Sequence, residues 1–297
     1  MTTLAVPFLL AVGGLLALQA AANVQLSAAL RSPFGASTLQ LGIGALFLLT
    51  AALPLGALAA LGAIDDVAAW HLTGGIGSAV YITAGILLFP RLGAVVSVGL
   101  FITGQMLTSL VLDATGWLVV TEKGLDAAAL AGAGAVLAGV ALIVRAQGRV
   151  RGNAAWVAFA LVAGAVLPLQ GAINAQLRAD LDAPITAGAW SFVVAAVTML
   201  LVLAATASRP AEPARLDRVP WWGWLGGLCG AIYVTSVFLL IPQIGVAPTI
   251  GLTVAGQQLA SLFVDGYGLL RLPRRPVTAA RLAGVATLLA GVALIQA

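Results

Sequence analysis

Four amides have the spacing and the setting to recognise a solute inside a membrane. Gln19 and Asn23 stand in LQAAANVQL, and Gln170 and Asn174 in LQGAINAQL, each pair four residues apart within an apolar run. That spacing puts both side chains of a pair on one helical face. A neutral amide supplies donors and acceptors without titrating, which suits it to the polar parts of a small molecule. The same groups also serve as glue between helices, at about 0.6–2 kcal/mol per bond. The sequence leaves both roles open. Gln25 and Gln176 lie six positions beyond the first glutamine of each pair and, at about 100° per residue, point elsewhere.

A second polar series is Gln105, Ser109 and Asp113, repeated as Gln257, Ser261 and Asp265. Steps of four drift about 40°, so each series forms one stripe along a helix. Gln105 and Gln257 join the candidate substrate-binding set. An acidic residue in a membrane helix suggests coupling or gating, and Asp113 and Asp265 are the candidates. Both lie near a helix end, where a structural hydrogen bond competes with that role. Tyr81 and Tyr233 fall mid-span and are candidate walls of a cavity. Pro168, just ahead of Gln170, implies a kink in one half only, since its counterpart is Ala17. Trp190 reads as a packed ring. His71, beside Asp65 and Asp66, is too isolated for a metal site, and no metal or cofactor is implied.

These residues need apolar helices to carry them. The 297 residues are 61% hydrophobic and 8% charged, against about 25% charged in soluble domains. Apolar runs of about twenty residues follow one another with short breaks, the pattern of an all-α polytopic membrane protein. Outer-membrane barrels are excluded, because their strands alternate in segments of about ten. Ten spans are predicted near 4–30, 35–61, 68–89, 93–118, 125–145, 154–181, 186–207, 221–241, 246–270 and 278–296, with Pro33, Pro90, Pro184, Pro220, Pro242 and Pro276 at their ends. The first lacks the basic leader of a signal peptide. Twelve of the 14 Lys and Arg then fall on one side, Lys123 and Arg178 being the exceptions. The positive-inside rule makes that side cytoplasmic and puts both termini outside. The basic pI reflects these loops and implies no nucleic-acid partner. The lone Cys229 forms no intrachain disulfide.

The chain is also a duplication. Residues 19–33 and 170–184 agree at eight of fifteen positions, 74–118 and 226–270 at 19 of 45, and 130–143 and 282–295 at ten of fourteen. Residues 1–147 and 153–297 are thus two five-helix repeats joined by a short cytoplasmic linker at 148–152. With five spans each, they must cross the membrane in opposite senses. Inverted repeats are the architecture of many secondary transporters, with the site between the halves. The repeats differ at one telling position, where Ser191 of the second corresponds to Gln40 of the first.

The Q-x-x-x-N helix, the SPF and APITAGAWSF turns, and the segments GQMLTSLVLDATG and GQQLASLFVDGYG together resemble the YdcZ-type branch of the drug/metabolite transporter (DMT) superfamily. Its members are typically single five-helix units described as inner-membrane exporters, and this chain resembles two such units fused. The resemblance implies a bacterial inner-membrane transporter, an exporter of a small metabolite or drug-like compound working by alternating access. Small multidrug members of the superfamily couple export to protons through an acid in the first helix. The first helix here has none, which favours a neutral or zwitterionic substrate, with a proton or other cation as a secondary expectation. A monomer in the lipid bilayer is expected to suffice, a dimer being the alternative. A non-transporting accessory protein is the competing reading. A membrane enzyme is a distant third, because no catalytic constellation is found.

Overall fold

The structure is a computed structural model that describes residues 2–92, 94–120, 122, 124, 126–145, 154–206, 215–272, 274 and 277–295. The linker at 148–152 and Lys123, Arg149, Arg151, Arg209 and Arg275 lie outside the described residues, as does the side chain of Asp265. The described residues form α1 (Thr2–Leu30), α2 (Pro33–Ala52), α3 (Ile76–Leu92), α4 (Ala94–Thr115), α5 (Ala127–Arg145), α6 (Ala154–Leu181), α7 (Pro184–Ala205), α8 (Gly226–Ile244), α9 (Val246–Tyr267) and α10 (Ala279–Ile295). Seven of them are long and apolar enough to cross a membrane, and α10 is a shorter apolar helix. This is a multi-pass, all-helical membrane protein.

Some boundaries depart from the hydropathy pattern. The predicted second span runs to residue 61, but α2 ends at Ala52 and the chain continues as a 3-10 segment over Ala57–Asp66. Alanine and leucine in that segment are apolar enough to mimic a membrane span, and Gly56, at φ 62°, breaks the helix ahead of it. The eighth span begins at Gly226, after a separate 3-10 turn at Trp221–Trp224. Pro242 lies inside α8 instead of ending it. Pro33 and Pro184 do open α2 and α7, where the missing N–H costs nothing.

The duplication is visible in the backbone. Left-handed conformations occur at Arg31 and Asp182, at Gly116 and Gly268, and at Leu118 and Leu270, each pair equivalent in the repeat. Close helix crossings repeat as well. A side chain at Gly13 would strike the Thr253 carbonyl, and one at its equivalent Gly164 would strike that of Phe101. Hydrocarbon gives apolar helices no drive to associate, so bare backbones in contact supply the dispersion energy that holds the bundle together.

The halves interleave. Helix α1 packs chiefly on α8 and α9, and α6 on α3 and α4, so each repeat lends its first helix to the other's wall. The fifth helices pack together at one end of the bundle, with Gly132 against Gly291 and Gly139 against Gly284. At the other end α2 packs on α7, with Gly44 against Phe192 and Leu48 against Gly188. In both pairs the numbering rises along one helix and falls along the other, so equivalent helices run antiparallel. One apolar cluster gathers around Ile102, Met106, Val136, Ile250 and Leu288, and a second around Leu41, Leu48, Phe192 and Met199.

Candidate functional site

The glutamines of both amide pairs meet the wall opposite their own repeat. Gln170, on α6, is buried and exchanges hydrogen bonds with Ser78 of α3: its Nε2 donates to Ser78 Oγ at 2.9 Å, and the hydroxyl donates back to Oε1 at 3.1 Å. Gln170 also lines a small cavity with Tyr233 and Val237, large enough for about one water. Gln19, on α1, lies against Gly230 of α8, the position equivalent to Ser78. The hydroxyl partner is missing there, and Gln19 remains partly exposed.

One turn beyond the glutamines lie the asparagines. Asn174 is fully buried, donates from Nδ2 to Ser191 Oγ of α7 at 3.0 Å, and rests its Oδ1 on the bare backbone of Gly74. In the other half the equivalent glycine is Gly226, and the side chain resting on it is Gln40 of α2. Asn23 is only partly buried, and its Oδ1 has no hydrogen-bond partner, like Nε2 of Gln40. The four amides therefore belong to two clusters at different depths, displaced from the middle toward opposite ends of the bundle. Ser78, Gln40 and Gly226 complete these clusters. The Ser191–Gln40 mismatch is legible in the sequence, whereas the packing of α1 on α8 and of α6 on α3 is a tertiary feature with no local signal.

Tyr81 packs on Phe101, with ring centroids 5.0 Å apart. Tyr233 is buried and reaches Thr253 of α9. Gln105 is buried on α4, and Ser109 below it donates to the Gln105 carbonyl at 2.7 Å. Gln257 is partly buried and Gln258 buried. Pro168 is buried within α6.

Asp113 has a specific partner. Both its oxygens accept backbone N–H bonds from the first turn of α9, Oδ1 from Val246 at 2.8 Å and Oδ2 from Ala247 at 2.7 Å. A carboxylate placed there satisfies two of the helix's free donors and complements its positive end. The acid that looked ill-placed at the end of its own helix caps another.

At the bundle surface, Trp190 Nε1 donates to the Leu72 carbonyl at 3.1 Å, as befits a packed ring. His71 pairs with Asp180 at the end of α6, a partner 109 residues away, and not with the neighbouring Asp65 or Asp66. Gln176, which faces away from its pair, donates to the Val119 carbonyl at 3.3 Å. Among the described residues no group of three or more His, Cys, Asp or Glu could hold a metal ion.

The two walls meet unequally. Helix α6 packs on α8, with Gly171 against Ile241 and Val237. The equivalent helices α1 and α3 have no comparable packing among the described residues. Ala20 and Val24 of α1 are accordingly exposed, Val24 at 52%, whereas Ala175, the equivalent of Val24, is buried at 4%.

The family model described as "Putative inner membrane exporter, YdcZ" matches twice, over residues 4–142 and again over 155–294. The chain belongs to the YdcZ branch of the DMT superfamily. It carries two consecutive copies of this family's unit, in agreement with the repeated backbone features and crossings. A YdcZ protein of this kind also shares its fold with solved structures: one crystal structure, 19% identical, matches with a TM-score of 0.64 over 96% of this chain and 95% of its own. No curated protein matches the sequence.

Proposed function

We propose that this protein is a secondary transporter that exports a small, uncharged or zwitterionic solute by alternating access between its two repeats. All ten helices span the inner membrane, and the repeats insert in opposite orientations. The antiparallel packing of α2 on α7 and α5 on α10 and the one-sided arginines support that arrangement. Under the positive-inside rule both termini are periplasmic.

The observation that carries the reading is the unequal environment of equivalent helices. Sequences this similar have similar intrinsic preferences, so α1 can in principle adopt the seat of α6 and the reverse. With the arginine-rich side cytoplasmic, the α6–α8 contact lies toward the periplasm and the separation of α1 from α3 toward the cytoplasm. This is an inward-facing arrangement. In the outward-facing one α1 closes on α3 through Ala20, small like Gly171, and α6 leaves α8. The cost of switching is modest when the two packings are near equivalents. Gln19, Gln170, Tyr81 and Tyr233 then flank the path, with Gln105 and Gln257 on the adjoining helices. Asp113 acts as a cap that holds α9 to α4.

Water-soluble maleimide tests this in a Cys229→Ser background in oriented vesicles. Val24→Cys is expected to react from the cytoplasmic side, and Ala175→Cys slowly and from the periplasmic side. Failure of Val24→Cys to react, or reaction of both from one side, overturns the reading. A second reading, an accessory protein in which the amides are glue, is favoured by the closed Gln170–Ser78 and Asn174–Ser191 bonds. It requires that neither position be reached by water.

A further inference from the structure

The two amide clusters are equivalent in sequence position but unequal in hydrogen bonding. In the cluster built on α6, Gln170 is matched by Ser78 and Asn174 by Ser191. Only Asn174 Oδ1 is left over, resting on Gly74. In the cluster built on α1, the residue equivalent to Ser78 is Gly230 and the one equivalent to Ser191 is Gln40. Both hydroxyls are gone and one amide has been added. Gln40 is 3% exposed with an unpaired Nε2, Asn23 has an unpaired buried Oδ1, and Gln19 makes no hydrogen bond among the described residues.

Leaving a buried donor or acceptor unpaired forfeits its hydration with nothing in return. Both clusters leave an asparagine Oδ1 unpaired, but only the α1 cluster has lost both serine hydroxyls and holds a buried amide donor, Gln40 Nε2, without a partner, and that donor calls for a compensating group. Asn23 lies seven residues from the end of α1 and Gln40 seven from the start of α2, so both sit about 10 Å in from the turn that joins those helices. This cluster is also on the helix whose face is exposed where α1 and α3 part.

We infer that Gln19, Asn23 and Gln40 form the substrate-recognition half-site, and that it takes a neutral group carrying a hydrogen-bond donor and acceptor side by side, such as a carboxamide. The acceptor of such a group meets Gln40 Nε2, and its donor meets Asn23 Oδ1. A carboxylate offers no donor to Asn23, and an ammonium offers no acceptor to Gln40. The described side chains that make up the cluster, Gln19, Asn23 and Gln40, carry no charge, so they offer either ion no counter-charge against its desolvation cost. The α6 cluster, in which Gln170 and Asn174 keep their serine partners, is the closing element. This inference deepens the transport reading and rests on it for access to the cluster.

The test is thermal unfolding of the purified full-length protein with benzamide, benzoate or benzylamine. Benzamide at ten times its dissociation constant is expected to raise the Tm by on the order of 2–4 °C, and the two ions are expected to do less than a quarter of that. Gly230→Ser combined with Gln40→Ser installs the partners found in the other half. It is expected to unfold at a higher temperature than the wild type without ligand and to lose the benzamide shift. Gln40→Leu, which keeps the volume, is the companion variant, and it too should lose the shift. No benzamide shift in the wild type, an equal shift with benzoate or benzylamine, or a shift that survives in the variant that folds overturns the assignment. Maleimide labelling separates the two levels: reactive Val24→Cys with no benzamide shift rejects the amide half-site alone, whereas unreactive Val24→Cys rejects the transport reading.

Discussion

Helices α1 and α6 begin from nearly the same residues and end in different surroundings. Helix α6 is seated: Gln170 and Asn174 have hydroxyl partners, Gly171 touches α8, and Ala175 is buried. Helix α1 is seated on only part of its surface, with Gly13 tight against Thr253 while Ala20 and Val24 are exposed. Two copies of one motif thus separate what is fixed from what is free. Contacts present in both copies, the glycine crossings, hold the walls together. Contacts present in one copy, the α6–α8 seam and the serine–amide bonds, distinguish the halves; in the proposed cycle only the seam is exchanged, because Gly230 and Gln40 stand where the other half has its serines.

The comparison makes four predictions. The largest effect is expected at the shared crossings: Gly13→Leu and Gly164→Leu should both abolish folded protein, measured as monodisperse yield after detergent extraction, because backbone lies where the side chain must go. Unequal outcomes there would break the equivalence of the walls. Next is Asp113→Ala, which strips two charge-assisted bonds from α9; a loss of about 2–3 kcal/mol is expected in denaturant unfolding, with Asp113→Asn recovering part of it. At the seam the equivalents should diverge. Gly171→Leu, which meets Ile241 and Val237, is expected to cost about 1–3 kcal/mol, and Ala20→Leu less than about 0.5 kcal/mol, as at exposed sites. The smallest contrast lies in the amides. Asn174→Leu is expected to lower stability by about 1 kcal/mol through loss of the Ser191 bond, while Asn23→Leu is neutral or stabilising, because it removes an unpaired oxygen. Equal costs at Asn23 and Asn174 would show that both are glue.

Much of the fold was legible because hydrocarbon imposes long apolar helices, and because a repeated sequence announces itself without any structural knowledge. The amide pairs were legible for the same reason: Gln19, Asn23, Gln170 and Asn174 are polar exceptions in apolar runs. The shortened α2 was not, since apolar composition does not distinguish a membrane span from the 3-10 segment at Ala57–Asp66. Nor was the role of Asp113. Its own helix gives no sign that the first turn of α9, 133 residues away, comes to rest on its carboxylate.

The sequence by itself determined the helices, the repeat, the one-sided arginines and the polar positions, all of which follow from local composition and periodicity. Only the tertiary structure decided which helices of one repeat pack on the other, which serine satisfies which amide, and which of the equivalent helix pairs is in contact. Those outcomes depend on how closely two backbones approach. Glycines permit that approach in both halves alike, but only the packed arrangement closes α6 on α8 and leaves α1 apart from α3.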